Sequence, residues 1–148
     1  MNTNILPSSH APVVGVIDPD NNAAGALSTG WIDMALFHSL MAIILAGTIE
    51  ATGTIDAKLE QATDSSGTGV KDITGKSITQ LTAAGTDSDK QAVINCRSDE
   101  IDVNGGFTYV RLTMTGATAA ADSAAVVLGF NARYAPAADL SSVDEVVA

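Results

Sequence analysis

Phe107-Thr108-Tyr109-Val110-Arg111-Leu112-Thr113-Met114-Thr115 decides the fold. Val110, Leu112 and Met114 share one parity, and Tyr109, Arg111 and Thr113 share the other. Successive side chains of a strand point to opposite faces, so this stretch predicts a half-buried strand, apolar within and polar outside. Asn104-Gly105-Gly106 supplies the turn that leads into it. The same period of two recurs on both sides. In Thr54 to Gln61, Ile55, Ala57 and Leu59 alternate with Asp56, Lys58 and Glu60, and in Gln91 to Arg97 the inward set is Ala92, Ile94 and Cys96. Val70 to Leu81 carries β-branched residues with a break at Gly75, and a last strand is expected from Ala124 to Tyr134, stopped by Pro136. Asp64 to Gly69 and Thr86 to Asp89 are the intervening loops.

Ile32 to Ala46 is ambiguous, because Trp31, Met34, Phe37 and Met41 suit a helical face while Ala42 to Leu45 suit a buried strand. We favour a short turn and then a strand near Leu40 to Ile49. The apolar run Met34 to Ala46 falls short of the roughly 20 residues that cross a bilayer and reads as core material. Short strands between Gly, Asp and Ser turns, with no convincing amphipathic helix, predict an all-β protein: an antiparallel β-sandwich of jelly-roll type, or a small barrel.

Three parts are expected. Residues 1–30, rich in Asn, Pro, Ser, Gly and Ala, read as an extended N-terminal arm with apolar beads at Ile5, Leu6, Val13, Val14, Val16 and Ile17. Pro7, Pro12 and Pro19 oppose a helix there. Such an arm cannot bury its valines on itself, so the beads are expected to dock on the body or on a neighbouring subunit. Residues 31–136 form the sandwich, and residues 137–148 a short acidic tail in which Val143, Val146 and Val147 either pack on a partner or fray. The N-terminus lacks the basic and apolar regions of a secretory signal, so export by that route is not expected.

The chain has 148 residues, with 7 Lys+Arg against 17 Asp+Glu and a net charge of -10. That length suits one domain. The charge opposes binding to nucleic acid, whose sequence-independent affinity comes from Lys and Arg displacing counterions. Every basic side chain lies between Lys58 and Arg133. The lone cysteine, Cys96, cannot form an internal disulfide and reads as a small buried hydrophobe.

Candidate chemistry fails on inspection. Gly75-Lys76-Ser77 resembles the end of a phosphate-binding loop, but Val70 stands where that loop needs its first glycine, and β-type sequence follows. Asp18-Pro19-Asp20-Asn21-Asn22 opens like a calcium loop, yet Ala23 and Thr29 replace the glycine and glutamate that complete one; a solvated turn is the simpler reading. His10 and His38 have no metal-ligand spacing, and His38, inside an apolar run, is expected to be partly buried with its ring hydrogen-bonded. No nucleophile elbow occurs, and no catalytic residue, metal site or cofactor is expected. The Asp-rich turns read as solubilising surface, and the low aromatic fraction, 4%, disfavours a sugar-binding platform.

Four segments carry a resemblance: WIDMALFHSLMAIILAGTI (Trp31 to Ile49), DAKLEQATDSSGTGVKDITGKSITQL (Asp56 to Leu81), DKQAVINCRSDEIDVNGGFTYVRLTMT (Asp89 to Thr115) and GFNARYAP (Gly129 to Pro136). Together they resemble a family of small proteins encoded among the head genes of tailed bacteriophages and prophages, over the body from Trp31 to Pro136. The resemblance implies a virion structural protein without enzymatic activity. A small sandwich with an apolar-beaded arm is similar to capsid cement, or decoration, proteins, which sit as trimers on the outside of the shell. It implies the major capsid protein as partner, a homotrimer, a place on the capsid exterior after assembly in the bacterial cytoplasm, and no contact with nucleic acid or membrane. The arm beads, with Trp31 as an anchor where arm meets body, are then the candidate bridging residues, and removal of residues 1–30 is expected to leave a folded body. The alternatives are a neck, tail-accessory or head-fibre protein, and a host-surface or glycan-binding jelly roll.

Overall fold

A computed structural model describes residues 6–147. A single helical turn, Pro7–His10, precedes ten strands: β1 (Val13–Asn22), β2 (Gly25–Ser28), β3 (Ile32–Asp33), β4 (Phe37–Ile49), β5 (Thr54–Ala62), β6 (Lys71–Ser77), β7 (Leu81–Thr82), β8 (Gln91–Arg97), β9 (Tyr109–Ala117) and β10 (Ala121–Ala132). All pairings are antiparallel. One sheet runs β1-β10-β4-β8; the other runs β2-β9-β5-β6, with β3 also on β9 and β7 also on β5. Because β2 and β3 lie end to end along β9, and β6 and β7 along β5, each sheet has four strand positions.

The protein is therefore an all-β antiparallel sandwich. Its pairings join β1 to β10, β2 and β3 to β9, β4 to β8, and β5 to β6 and β7. Within the sheets β10 also pairs with β4, and β9 with β5.

The alternation in the sequence explains which side chains meet between the sheets. Ile55, Ala57 and Leu59 of β5 and Val110, Leu112 and Met114 of β9 face Leu40, Ala42 and Ile44 of β4, Ile94 and Cys96 of β8 and Val127 of β10, in one apolar cluster. Close approach fixes two glycines. A Cβ on Gly129 would lie 2.6 Å from two ring carbons of Phe37, and one on Gly67 would lie 2.9 Å from the Trp31 indole nitrogen.

The N-terminal arm needs correction. Residues 13–28 are strands of the sandwich, one in each sheet: β1 pairs with β10 from Val13 to Asn22, and β2 pairs with β9 from Gly25 to Ser28. The docking on the body is complete enough that Ile17 is only 5% exposed and Pro12 is fully buried. Gly15 and Pro19, which argue against a strand in sequence, are tolerated because β1 is an edge strand with register shifts between Val13 and Gly15 and between Ile17 and Asp20. The sandwich therefore begins near Pro12, not at Trp31. The tail is also partly held: Asp139 accepts a hydrogen bond from the Val13 amide at 2.7 Å, and the Leu140 amide donates to the Val13 carbonyl at 2.9 Å.

Candidate interaction surfaces

The two sheets present opposite kinds of outer face. On the sheet containing β5 and β9 the outward parity is polar, and its centre is Glu60. This carboxylate, with a side chain 12% exposed, accepts hydrogen bonds from Arg111 Nε at 2.8 Å and the Thr113 hydroxyl at 2.7 Å, with Lys58 Nζ at 3.3 Å. Since the Thr113 proton goes to Glu60, the Ser28 hydroxyl, 2.8 Å away, donates to Thr113. Burial pushes the Glu60 carboxyl up, but hydrogen bonds from Thr113, Arg111 and Lys58 outweigh it and hold the group below its ordinary value of 4.5. Lys58 also pairs with Asp72 at 2.7 Å. Trp31 joins the network: the Arg111 guanidinium carbon lies 4.5 Å from its ring centroid, and the left-handed Gly67 of the following loop leaves room for the indole. Trp31 is thus half-buried and clasps β9 to the Asp64–Gly67 turn.

In the sheet containing β4 and β10, the two central strands are apolar on both faces, while the outward residues of β8 other than Val93 are the polar Gln91, Asn95 and Arg97. Val16, Val126, Ile43 and Val93 stand side by side in one row across all four strands. The next row toward the C-terminal end of β10 holds Leu128, Met41 and the polar Asn95, and the row on the other side holds Ala124, Leu45 and the polar Gln91. Leu45 is 42% and Val93 52% exposed. No ionisable side chain lies in the Val16 row; the charged groups stand at the ends of the face, such as Arg97 beyond Met41 and Asp122 beyond Ala124. Shallow depressions of about 360 Å³ and 490 Å³ flank the central row, one bordered by Met41 and Phe130 and the other by Leu45 and Ala124.

The candidate residues from the arm are dispersed over these surfaces. Ile5 lies outside the described residues. Leu6 is exposed beside the helical turn, Val13 and Val14 are half-buried where β1 begins, Val16 is on the apolar outer face, and Ile17 is in the core. Ile17 therefore has no surface with which to bridge a neighbour. The apolar outer face was missed as a site in the sequence, although its signal is there: Leu40 to Leu45 and Ala124 to Leu128 are continuous apolar runs, and continuity marks a strand covered on both sides.

The rejected motifs can be placed too. Gly75-Lys76-Ser77 lies in a bulge of β6, where β5 advances from Lys58 to Glu60 while β6 runs from Ser77 back to Asp72. Gly75 has φ +75° and Lys76 reaches out to the Asn95 carbonyl of β8 at 2.8 Å and to Glu100 at 2.8 Å. Asp18 to Asn22 is the far end of β1, with Asn21 Nδ2 donating to Asp122 at 2.7 Å and Asn22 Nδ2 donating to the Ser123 hydroxyl at 2.9 Å. His38 is exposed rather than partly buried. Cys96 is fully buried, and burial pushes its thiol up to about 11. Among the described residues no three His, Cys, Asp or Glu side chains come together as a metal site, and no helix is long and apolar enough to cross a membrane.

A cleft of about 330 Å³ lies at one end of the sandwich, between the start of β1 and the returning tail, bordered by Val13, Leu36, Phe37, Tyr134 and Leu140. Its two carboxylates already serve the backbone: Asp139 holds the Val13 amide and Asp33 holds the Ala35 amide. No protein-family profile matches the chain, and no curated protein matches it.

Proposed function

We propose that this chain is a non-enzymatic virion structural protein of the cement or decoration type, which binds the outer surface of a tailed-phage capsid, with the major capsid protein as its partner and a homotrimer as its working form. The observation that carries this reading is the contrast between surfaces: one sheet face carries a row that is apolar across all four strands, whereas both carboxylates of the end cleft are held by backbone amides. A surface of that kind works through area and repetition. Specific small-molecule sites combine an apolar cavity with a few placed polar groups, and here the carboxylates of the end cleft are engaged by backbone amides.

The sandwich and the resemblance of Trp31 to Pro136 to phage head proteins support the same reading. So does the charge: with -10 overall and no Lys or Arg before Lys58, the protein is repelled by a packaged genome and stays soluble before it docks. Repetition strengthens weak contacts, because an oligomer on a lattice engages each additional site at high effective concentration.

The arm mechanism changes form. With β1 and β2 built into the sheets, bridging by a free segment of 30 residues is replaced by contact through the exposed surface of the sandwich and through residues before Pro12, of which Leu6 is 43% exposed. Adding the purified protein to capsids that lack it tests the reading. Saturable binding with a rise in the temperature at which shells rupture is expected. Binding to host cells or glycans without affinity for shells would overturn it.

A further inference from the structure

We infer that Lys76 and Glu100 close the open edge of β8 against pairing with a strand of another chain. β8 is the outermost strand of its sheet. The Ala46 amide donates to the Lys90 carbonyl and the Ser98 amide to the His38 carbonyl. In the register that sets Leu45 against Gln91 and Ser39 against Arg97, Ala92, Ile94 and Cys96 therefore bond to β4. Antiparallel partners alternate between bonded and non-bonded pairs, so Gln91, Val93, Asn95 and Arg97 aim their backbone groups away from β4. A row of unpaired amides and carbonyls at a sheet edge is a template for another strand.

Two of these edge groups are taken by side chains. Lys76 Nζ donates to the Asn95 carbonyl at 2.8 Å, and the Arg97 amide donates to Glu100 Oε2 at 2.8 Å. The same Glu100 oxygen lies 2.8 Å from Lys76 Nζ, so the two side chains hold each other across the edge. Lys76 comes from the other sheet. A bulge re-aims a side chain and ends regular pairing, and the bulge of β6, with Gly75 at φ +75°, places Lys76 beside β8. The pair is also shielded: its side chains are 17% and 31% exposed, against 46% and 39% for Lys71 and Asp102. A strand arriving at β8 must displace both side chains and leave an ammonium and a carboxylate without their partners, which costs more than displacing water. The opposite edge of the sheet is closed in a comparable way, because the tail holds both backbone groups of Val13 through Asp139 and Leu140.

This inference stands on the edge itself and does not depend on the capsid reading. Amide hydrogen exchange and sedimentation of the full-length chain test it. In the wild type the Arg97 amide is expected to exchange at least tenfold more slowly, relative to its intrinsic rate, than the amide of Val93 on the same edge, a residue 52% exposed. Glu100→Ala is expected to remove that difference. Lys76→Met and Glu100→Ala are both expected to gain mass at concentrations at least tenfold below any at which the wild type does, with the Val93 amide becoming protected as they associate. The first substitution makes the chain more negative and the second less so, and an effect common to both therefore comes from the edge and not from net charge. Lys71→Met, on the same strand and with the same charge change as Lys76→Met, is the control and leaves the mass unchanged. An Arg97 amide that exchanges as fast as that of Val93 in the wild type overturns the inference. So does association in only one of the two variants, in neither, or equally in the control. Should a variant lose its β circular dichroism, the comparison of Arg97 with Val93 in the wild type decides alone.

Discussion

Glu60 is held by groups from three strands, since Arg111 and Thr113 come from β9, Lys58 from β5 itself, and Ser28 of β2 steadies Thr113. Removing a charged acceptor from such a network leaves its donors poorly satisfied, so Glu60→Ala is expected to cost about 1–3 kcal/mol, read as a lower urea midpoint with unchanged slope. The pH dependence has a definite sign. A carboxyl whose folded value lies below its ordinary 4.5 contributes stability above that value and loses it as pH falls through the folded value. The gap in midpoint between wild type and Glu60→Gln should therefore be full at pH 7 and narrow below about pH 4.5; a gap independent of pH would contradict the charge network. At Gly129 the issue is space: a Cβ there meets the Phe37 ring at 2.6 Å, and Gly129→Ala should cost about 1–3 kcal/mol through overpacking. Cys96, fully buried with its thiol pushed up to about 11, should resist an aromatic disulfide reagent in the native protein and react once unfolded. Rapid labelling of native protein would mean that the core opens around β8.

At the scale of elements, removal of residues 1–10 should leave the sandwich intact, whereas removal of residues 1–30 takes β1 from β10 and β2 from β9 and exposes a central strand in each sheet. The shorter truncation is expected to keep a cooperative urea transition and the longer one to lose it or aggregate. A well-folded longer truncation would restore the free arm. The strands that alternate, β5, β8 and β9, were legible in the sequence to within a residue or two, because one polar face in water imprints a period of two. Strand β1 was not: Gly15, Pro19 and the four Asn or Asp residues around it, Asp18, Asp20, Asn21 and Asn22, oppose regular strand, and only its place on an edge with bulges permits it. Trp31 was expected where an arm meets the body; it lies instead inside the sandwich, between β2 and β3, and its stacking with Arg111 and seat on Gly67 depend on residues far apart in sequence. The apolar run of β4 was read as core, and every second residue of it, Leu40, Ala42, Ile44 and Ala46, is buried between the sheets, while Met41, Ile43 and Leu45 lie on the outer face.

For the whole molecule, two outer faces divide the work. One is polar and tied by ion pairs among Glu60, Arg111, Lys58 and Asp72, and the other carries one row, Val16-Val126-Ile43-Val93, that is apolar across all four strands. A net charge of -10 favours solubility, and on the proposed reading the exposed surface is what meets a lattice. On the proposed reading the protein acts by covering a shell many times over. Electron microscopy of purified particles that carry the chain tests this most directly. The account predicts sandwich-sized density repeated across the outer surface in step with the capsid lattice, in hundreds of copies. Density confined to a single vertex or to the tail would contradict it.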